Sequence, residues 1–246
     1  MRRIMMLSAI AMTMGTAGAA GAEAPSTGAP LAEVKKIAAA ITWLGQSTLR
    51  IDTGAGILYI DPYKLPAGQT EKADIILITH NHGDHFSPTD IAKLIKDGTV
   101  LAAPFPVDIK GLNKVVRIKP GESAVVGSLP VESVPAYNLV KANFHPKASG
   151  FVGYVFTVAG VRIYAAGDTE RIPEMKNVRC DIAILPLGST YTMSGPEEAA
   201  LAALDTGTRL AIPYHYGTGE GKDSDAADFA KALEGKVEVV LKKRGG

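Results

Sequence analysis

The stretch THNHGDHF (79–86) places three histidines and an aspartate within six consecutive positions of a 246-residue chain that has only five histidines. It follows the apolar run DIILIT (74–79), continuous rather than alternating, as in strands buried on both faces. In an extended loop His80 and His82 project the same way, so both imidazoles can reach one metal ion. Asp84 and His85 come after Gly83, where the backbone can turn, and can face a second ion. Imidazoles beside a hard carboxylate suit zinc, manganese or iron. The other two histidines are His145, in NFHPK, and His215, in IPYHYG just after an apolar strand. Asp168, in AAGDT, also follows one. In α/β folds ligands gather beyond the carboxyl ends of strands, and these three clusters obey that rule.

Around this loop, short β-type runs alternate with a few helices. Strand-like segments are 41–52, 57–61, 74–79, 100–104, 114–119, 123–134, 151–168, 181–187, 209–214 and 237–242. One helix is expected from the cap Ser87 and Pro88 to Gly98, a second from Pro196 to near Gly207, and a third from about Ser224 to Gly235. GILYIDP (56–62) before ADIILITH (73–80) is echoed by VRIYAAGD (161–168) before CDIAILPL (180–187). Either short apolar strands look alike by chance, or the fold is two similar halves, each a sheet with helices outside. The echo then predicts an α/β fold with two facing sheets.

The first 22 residues read as a secretory leader: Arg2 and Arg3, an apolar run too short for the ~20 residues a membrane span needs, and the small-x-small site Ala20-Gly21-Ala22. Export to the periplasm with cleavage after Ala22 is expected, with no transmembrane segment left. Residues 23–38, rich in Ala, Pro, Ser and Gly, read as a flexible linker, and 39–246 as one domain. Without the leader's two arginines the remaining basic residues nearly balance 25 acidic ones, which gives no electrostatic reason to expect nucleic acid. The single Cys180 excludes an internal disulfide and reads as a buried, inert thiol. Oligomeric state is not legible.

HNHGDH resembles the H-x-H-x-D-H signature of the metallo-β-lactamase superfamily, and Asp168 and His215 match its later motifs in order. The flanking AYN, FHPK, IYAAGDT, ILPLG and PYHYG resemble the branch with ascorbate-6-phosphate lactonase and N-acylphosphatidylethanolamine phospholipase D. The resemblance implies an αββα sandwich with the metals at one edge. Carried over by position, His80, His82 and His145 would hold a first metal, Asp84, His85 and His215 a second, and Asp168 would bridge them. NFHPK lacks the Gly-His-Thr context usual around the third histidine. Two divalent ions, zinc first and manganese or iron as alternatives, imply hydrolysis of an ester, lactone or phosphodiester in a small-molecule or lipid-like substrate. A shared hydroxide would attack, with Asp84 and Asp168 as the catalytic carboxylates. Iron-dependent redox chemistry and a non-catalytic metal-binding protein are the rival readings. Asp168 standing where β-lactamases carry Cys or Ser speaks against β-lactam cleavage. Asp61, in YIDPY, is a candidate to orient a ligating histidine, while an Asp-Pro turn is the plain alternative.

Overall fold

The computed structural model describes residues 28–109 and 114–245. The leader and the start of the linker lie outside them. Strands β1 (Ile41–Gly45), β2 (Thr48–Asp52), β3 (Ile57–Ile60), β4 (Ile75–Leu77), β5 (Val100–Ala103) and β6 (Val115–Arg117) form one sheet in chain order. A second sheet runs β13-β12-β11-β10-β9-β8-β7, from β7 (Ser123–Val126), β8 (Leu129–Pro135), β9 (Val152–Val158), β10 (Val161–Ala165), β11 (Ile182–Pro186), β12 (Leu210–Tyr214) and β13 (Glu238–Val239). Within each sheet an antiparallel part passes into a parallel one, at β3 in the first and β10 in the second.

The period-2 alternation of strands assigns the layers. Ile75 and Leu77 of β4 face the core shared with the second sheet. Ile76 points the other way, into a smaller cluster with Ile91 and Leu94 of helix α2 (Pro88–Leu94). Outside the second sheet, α3 (Pro196–Asp205) packs on β11 and on α4 (Asp225–Ala232). The architecture is the expected αββα sandwich, and no described helix is long and apolar enough to cross a membrane.

The sequence echo has a physical counterpart. At the foot of β4, Asp74 N–H donates to the Ile57 carbonyl at 2.8 Å, and its carboxylate accepts from Ile57 N–H at 2.8 Å. At the foot of β11, Asp181 repeats both bonds with Arg162, at 2.8 and 2.9 Å. In each half an aspartate clamps a parallel strand to the one before it.

Several expectations need correction. Residues 31–38 are not linker: helix α1 (Leu31–Ala40) buries Val34, Ile37 and Ala38, and touches β1 and β10. The 41–52 run is a hairpin, broken at Gly45 (φ 120°) and Gln46 (φ 42°). Residues 123–134 and 151–168 likewise fold back, at Gly127 and at Ala159-Gly160. Helix α2 stops at Leu94, short of Gly98, because the Leu94 carbonyl accepts from Ala73 N–H at 2.8 Å and the Lys96 N–H is taken by Thr99 Oγ1. Only two residues of 237–242 pair as a strand, and the chain beyond runs on toward β1, where Gly245 N–H meets the Trp43 carbonyl.

Cys180 is fully buried, and burial pushes its thiol up to about 11 against the opposing pull of Thr206 and Thr208. Because the thiolate is the nucleophile, the folded protein at pH 8 should leave it unlabelled by a maleimide over hours. Stoichiometric labelling should appear only in denaturant, as read by mass spectrometry.

Candidate metal centre

Four strand ends deliver the site. His80 follows β4, Asp61 follows β3, Asp168 follows β10 and His215 follows β12. The histidine loop is held from the second sheet: Val152 N–H bonds the Thr79 carbonyl at 3.1 Å, and the buried Tyr154 hydroxyl donates to the Ile78 carbonyl at 2.8 Å. Gly167 (φ 67°) turns the chain so that Asp168 enters beside Thr79; a Cβ there would sit 3.1 Å from the Thr79 side chain. Five described residues other than glycine have positive φ, and three of them, Gln46, Asp61 and His215, belong to this site. A backbone held there costs energy and concentrates at functional sites.

His80, His82 and His145 form one group whose ligating atoms lie within 4.8 Å of one another, and Asp84, His85 and His215 form another. Asp168 stands between them. Its Oδ1 is 3.2 Å from His85 Nε2 and 3.6 Å from His215 Nε2, while its Oδ2 is 3.6 Å from His145 Nε2. The structure thus brings together all seven residues singled out in the sequence. The rings of His80 and His82 pack against Phe151 at 5.0 and 5.5 Å.

The other ring nitrogens decide whether this set fits a cation. His85 Nδ1 lies 2.8 Å from Asp61 Oδ2, and His215 Nδ1 lies 2.8 Å from Glu220 Oε1. His145 Nδ1 faces the Tyr191 carbonyl at 3.0 Å. His80 Nδ1 faces Thr79 Oγ1 at 2.9 Å, and that hydroxyl donates onward to Asp61 at 2.6 Å. In their neutral form His80, His85 and His145 are kept protonated on Nδ1 by these acceptors, which leaves Nε2 as the lone pair, a tautomer assigned from the partners. His215 Nδ1 and Glu220 Oε1 meet instead as an ion pair without a hydrogen bond. His80 Nε2 and His145 Nε2 are buried with no hydrogen-bond partner. Orphaned buried acceptors are costly, and a divalent ion shared among them satisfies them. The donor set fits.

Charge divides the two groups. Burial lowers His80 strongly, and also His82 and His145, so these imidazoles stand neutral. Burial alone would lower His85 and His215 as well. For His85, Asp168 and Asp61 outweigh it and raise the imidazole well above its usual range; for His215, Asp168, Asp84 and Glu220 push it up to about 10. Asp168 is held well below the carboxylate range despite burial, chiefly by His215 and His85, and Asp84 is lowered by its contacts to the same pair. An ion entering the Asp84 group must displace protons that the His145 group does not carry. Zinc binding is therefore expected in two steps: the first little changed between pH 6 and 8, the second tightening as pH rises toward about 10. Calorimetry in buffers of different ionisation enthalpy checks this; two steps with equal proton release would contradict it.

Sequence reasoning missed Glu220, Gln46 and Phe151. Glu220 is buried, is fixed by Tyr191 N–H at 2.8 Å, and fits only because residue 188 is glycine: a Cβ there would lie 1.9 Å from its Oε1. Removing the partner of a metal-bound histidine costs about 10- to 100-fold in metal affinity. Glu220→Gln is expected to lose that much at the Asp84 group, measured with a competing chelator, with the His145 group unchanged. Gln46 Nε2 lies 3.1 Å from Asp84 Oδ2 and 3.3 Å from His215 Nε2, and its Oε1 accepts from Thr218. Ser47 Oγ donates to the Asp84 carbonyl, so one hairpin turn grips Asp84 twice. Nearby, Tyr137 and Lys147 both pair with Glu174. A cavity of about 600 Å³ opens beside Asp84 and Gln46 and is also lined by Tyr63, Lys64, Thr218 and Arg244.

Residues 40–215 match the β-lactamase superfamily domain. A UPF0173 metal-dependent hydrolase of Archaeoglobus fulgidus is 33% identical over 83% of this chain and 96% of its own. One from a Geobacillus species is 33% identical over 84% and 98%. The crystal structure of a protein described as a metal-dependent hydrolase of Parabacteroides distasonis superposes with TM-score 0.72 at 34% identity, over 83% of this chain and 92% of that one. With the domain matched from β1 to His215 and such relatives matched almost end to end, the chain belongs to the metallo-β-lactamase superfamily, among the UPF0173 metal-dependent hydrolases.

Proposed function

We propose that this protein is a dinuclear hydrolase that cleaves an ester, lactone or phosphodiester bond of a small molecule, and that it works outside the cytoplasm. The observation that carries the reading is the convergence of ring nitrogens with their Nδ1 positions tied back, on a carboxylate whose two oxygens face the two groups. Divalent ions held there lower the pKa of water toward about 7 and polarise a substrate oxygen. Zinc is the first candidate for both positions.

The chain's own residues do the rest. Asp168, kept ionised, offsets cationic charge and fixes the spacing of the groups. Asp84 stays an acceptor and orients the attacking water, with Gln46 restraining its Oδ2. Lys64 on the cavity wall favours the negative charge that develops as the bond breaks, while Arg244 there is paired with Asp223. No serine or cysteine nucleophile is needed. The N-terminal leader pattern in the sequence supports export.

Chelator-treated protein, reloaded with zinc or manganese, should be assayed on 4-nitrophenyl esters, a γ-lactone and bis(4-nitrophenyl) phosphate. Turnover of at least one class, lost on chelation and regained with metal, is expected. Metal-replete protein inert on all three would sink the proposed bond types. Fractionation of cells expressing the full chain tests export, with a shortened species in the periplasm as the expected result.

A further inference from the structure

Two loops border the His145 group: residues 138–145, which end in that histidine, and residues 188–192. Asn138 ties them, its Nδ2 donating to the Tyr191 carbonyl at 2.7 Å, the same oxygen that faces His145 Nδ1. Four of the large apolar side chains exposed among the described residues gather here: Leu139 at 54%, Val140 at 87%, Phe144 at 43% and Tyr191 at 44%. The Phe144 and Tyr191 rings meet edge to face with centroids 4.7 Å apart.

This apolar surface is built on a fixed backbone. The N–H groups of Leu139, Val140 and Lys141 converge on the buried carboxylate of Glu170 at 2.7, 2.7 and 3.1 Å, two residues beyond Asp168. Lys141 Nζ reaches across to the carbonyls of Ser189 and Thr192. Those bonds use main chain at 139 and 140, so any side chain there could make them. The loop's own folding does not call for Leu or Val at positions that water surrounds. A clustered, exposed apolar patch marks a surface that meets something apolar, and here it adjoins the residues placed to hold metal.

We propose that Leu139, Val140, Phe144 and Tyr191 form a platform for the apolar tail of the substrate, so that the substrate is an amphiphile whose acyl or aryl chain lies on these side chains while its scissile bond sits at the metal centre. The proposal rests on the hydrolase reading and names the substrate class within it.

Wild type and the Leu139→Ser/Val140→Ser double variant should be compared on 4-nitrophenyl acetate through decanoate. Burial of each methylene on an open platform should be worth about twofold in kcat/KM. Wild type is expected to prefer decanoate to acetate by more than tenfold, and the variant to lose about tenfold of that preference through KM. Acetate turnover and metal content should hold, which shows the variant folded. A wild type with no chain-length preference, or a variant that loses acetate and decanoate alike, overturns the platform. If no ester is hydrolysed, the bond type fails while the platform is still read by binding. Metal-free wild type should then bind 1-anilinonaphthalene-8-sulfonate at least fivefold tighter than the variant, and equal binding overturns it. Co-sedimentation with phosphatidylcholine vesicles, abolished in the variant with no chain-length effect, assigns the patch to a membrane and also overturns it.

Discussion

Asp168→Asn is expected to lower kcat at least about a thousandfold on any substrate the protein turns over, and to weaken metal binding at both groups. The side chain is buried, and its oxygens face His85 and His215 on one side and His145 on the other. The amide keeps the shape but removes the negative charge and one of the two acceptors. Loss of charge stabilisation at a metal site costs several kcal/mol, and about 4 kcal/mol corresponds to a thousandfold in rate. The same change should let His215 and His85 lose their protons more readily, because the Asp168 charge is the largest influence raising them. Fold loss is distinguishable from site loss by the circular dichroism spectrum, which should be unchanged. A variant with wild-type turnover and two tightly bound ions would remove Asp168 from the centre of the account.

Trp43→Ala should have the largest effect on stability, about 3–5 kcal/mol, as for other buried large aromatics. The ring is buried in the main core, packs against Tyr216 with centroids 4.7 Å apart and the planes tilted by 43°, and lies under the Arg244 guanidinium at 5.3 Å. Its Nε1 donates to the Gln46 carbonyl at 2.8 Å, in the turn that grips Asp84. Truncation therefore opens a cavity and loosens the turn, the C-terminal segment and the loop after His215 together. At about 2–4 °C per kcal/mol for a domain of this size, Tm should fall by roughly 6–20 °C. Trp43→Phe keeps most of the packing and loses only the N–H bond, so it should cost far less. Similar losses for both variants, by differential scanning calorimetry, would show that the hydrogen bond dominates and the packing does not.

What the sequence made legible follows a physical pattern. The six residues from His80 to His85 carry their meaning locally, because ligand types crowded behind a buried strand have few other uses. Asp168 and His215 could be found because strand ends are visible as the end of an apolar run. Glu220 could not: it is a common acid in a glycine-rich loop, and its role depends on the hole that Gly188 leaves for it. Gln46 reaches Asp84 across 38 positions, and no local signal marks a hairpin turn inside LGQSTL. Helix α1 carries a readable stripe of Val34, Ile37 and Ala38, but the surrounding Ala-, Pro- and Gly-rich composition hid it. The expectation of an αββα sandwich stood because it rested on the strand echo and the motif resemblance together.

The measurement closest to the central claim is metal content per chain, by elemental analysis of protein purified at pH 8 without chelator and after equilibration with zinc. Two equivalents are predicted with zinc in excess, falling toward one near pH 6 as protons compete more strongly with the ion for the His85 and His215 imidazoles. One equivalent or less at pH 8 with zinc in excess would contradict the claim that these seven side chains hold two ions.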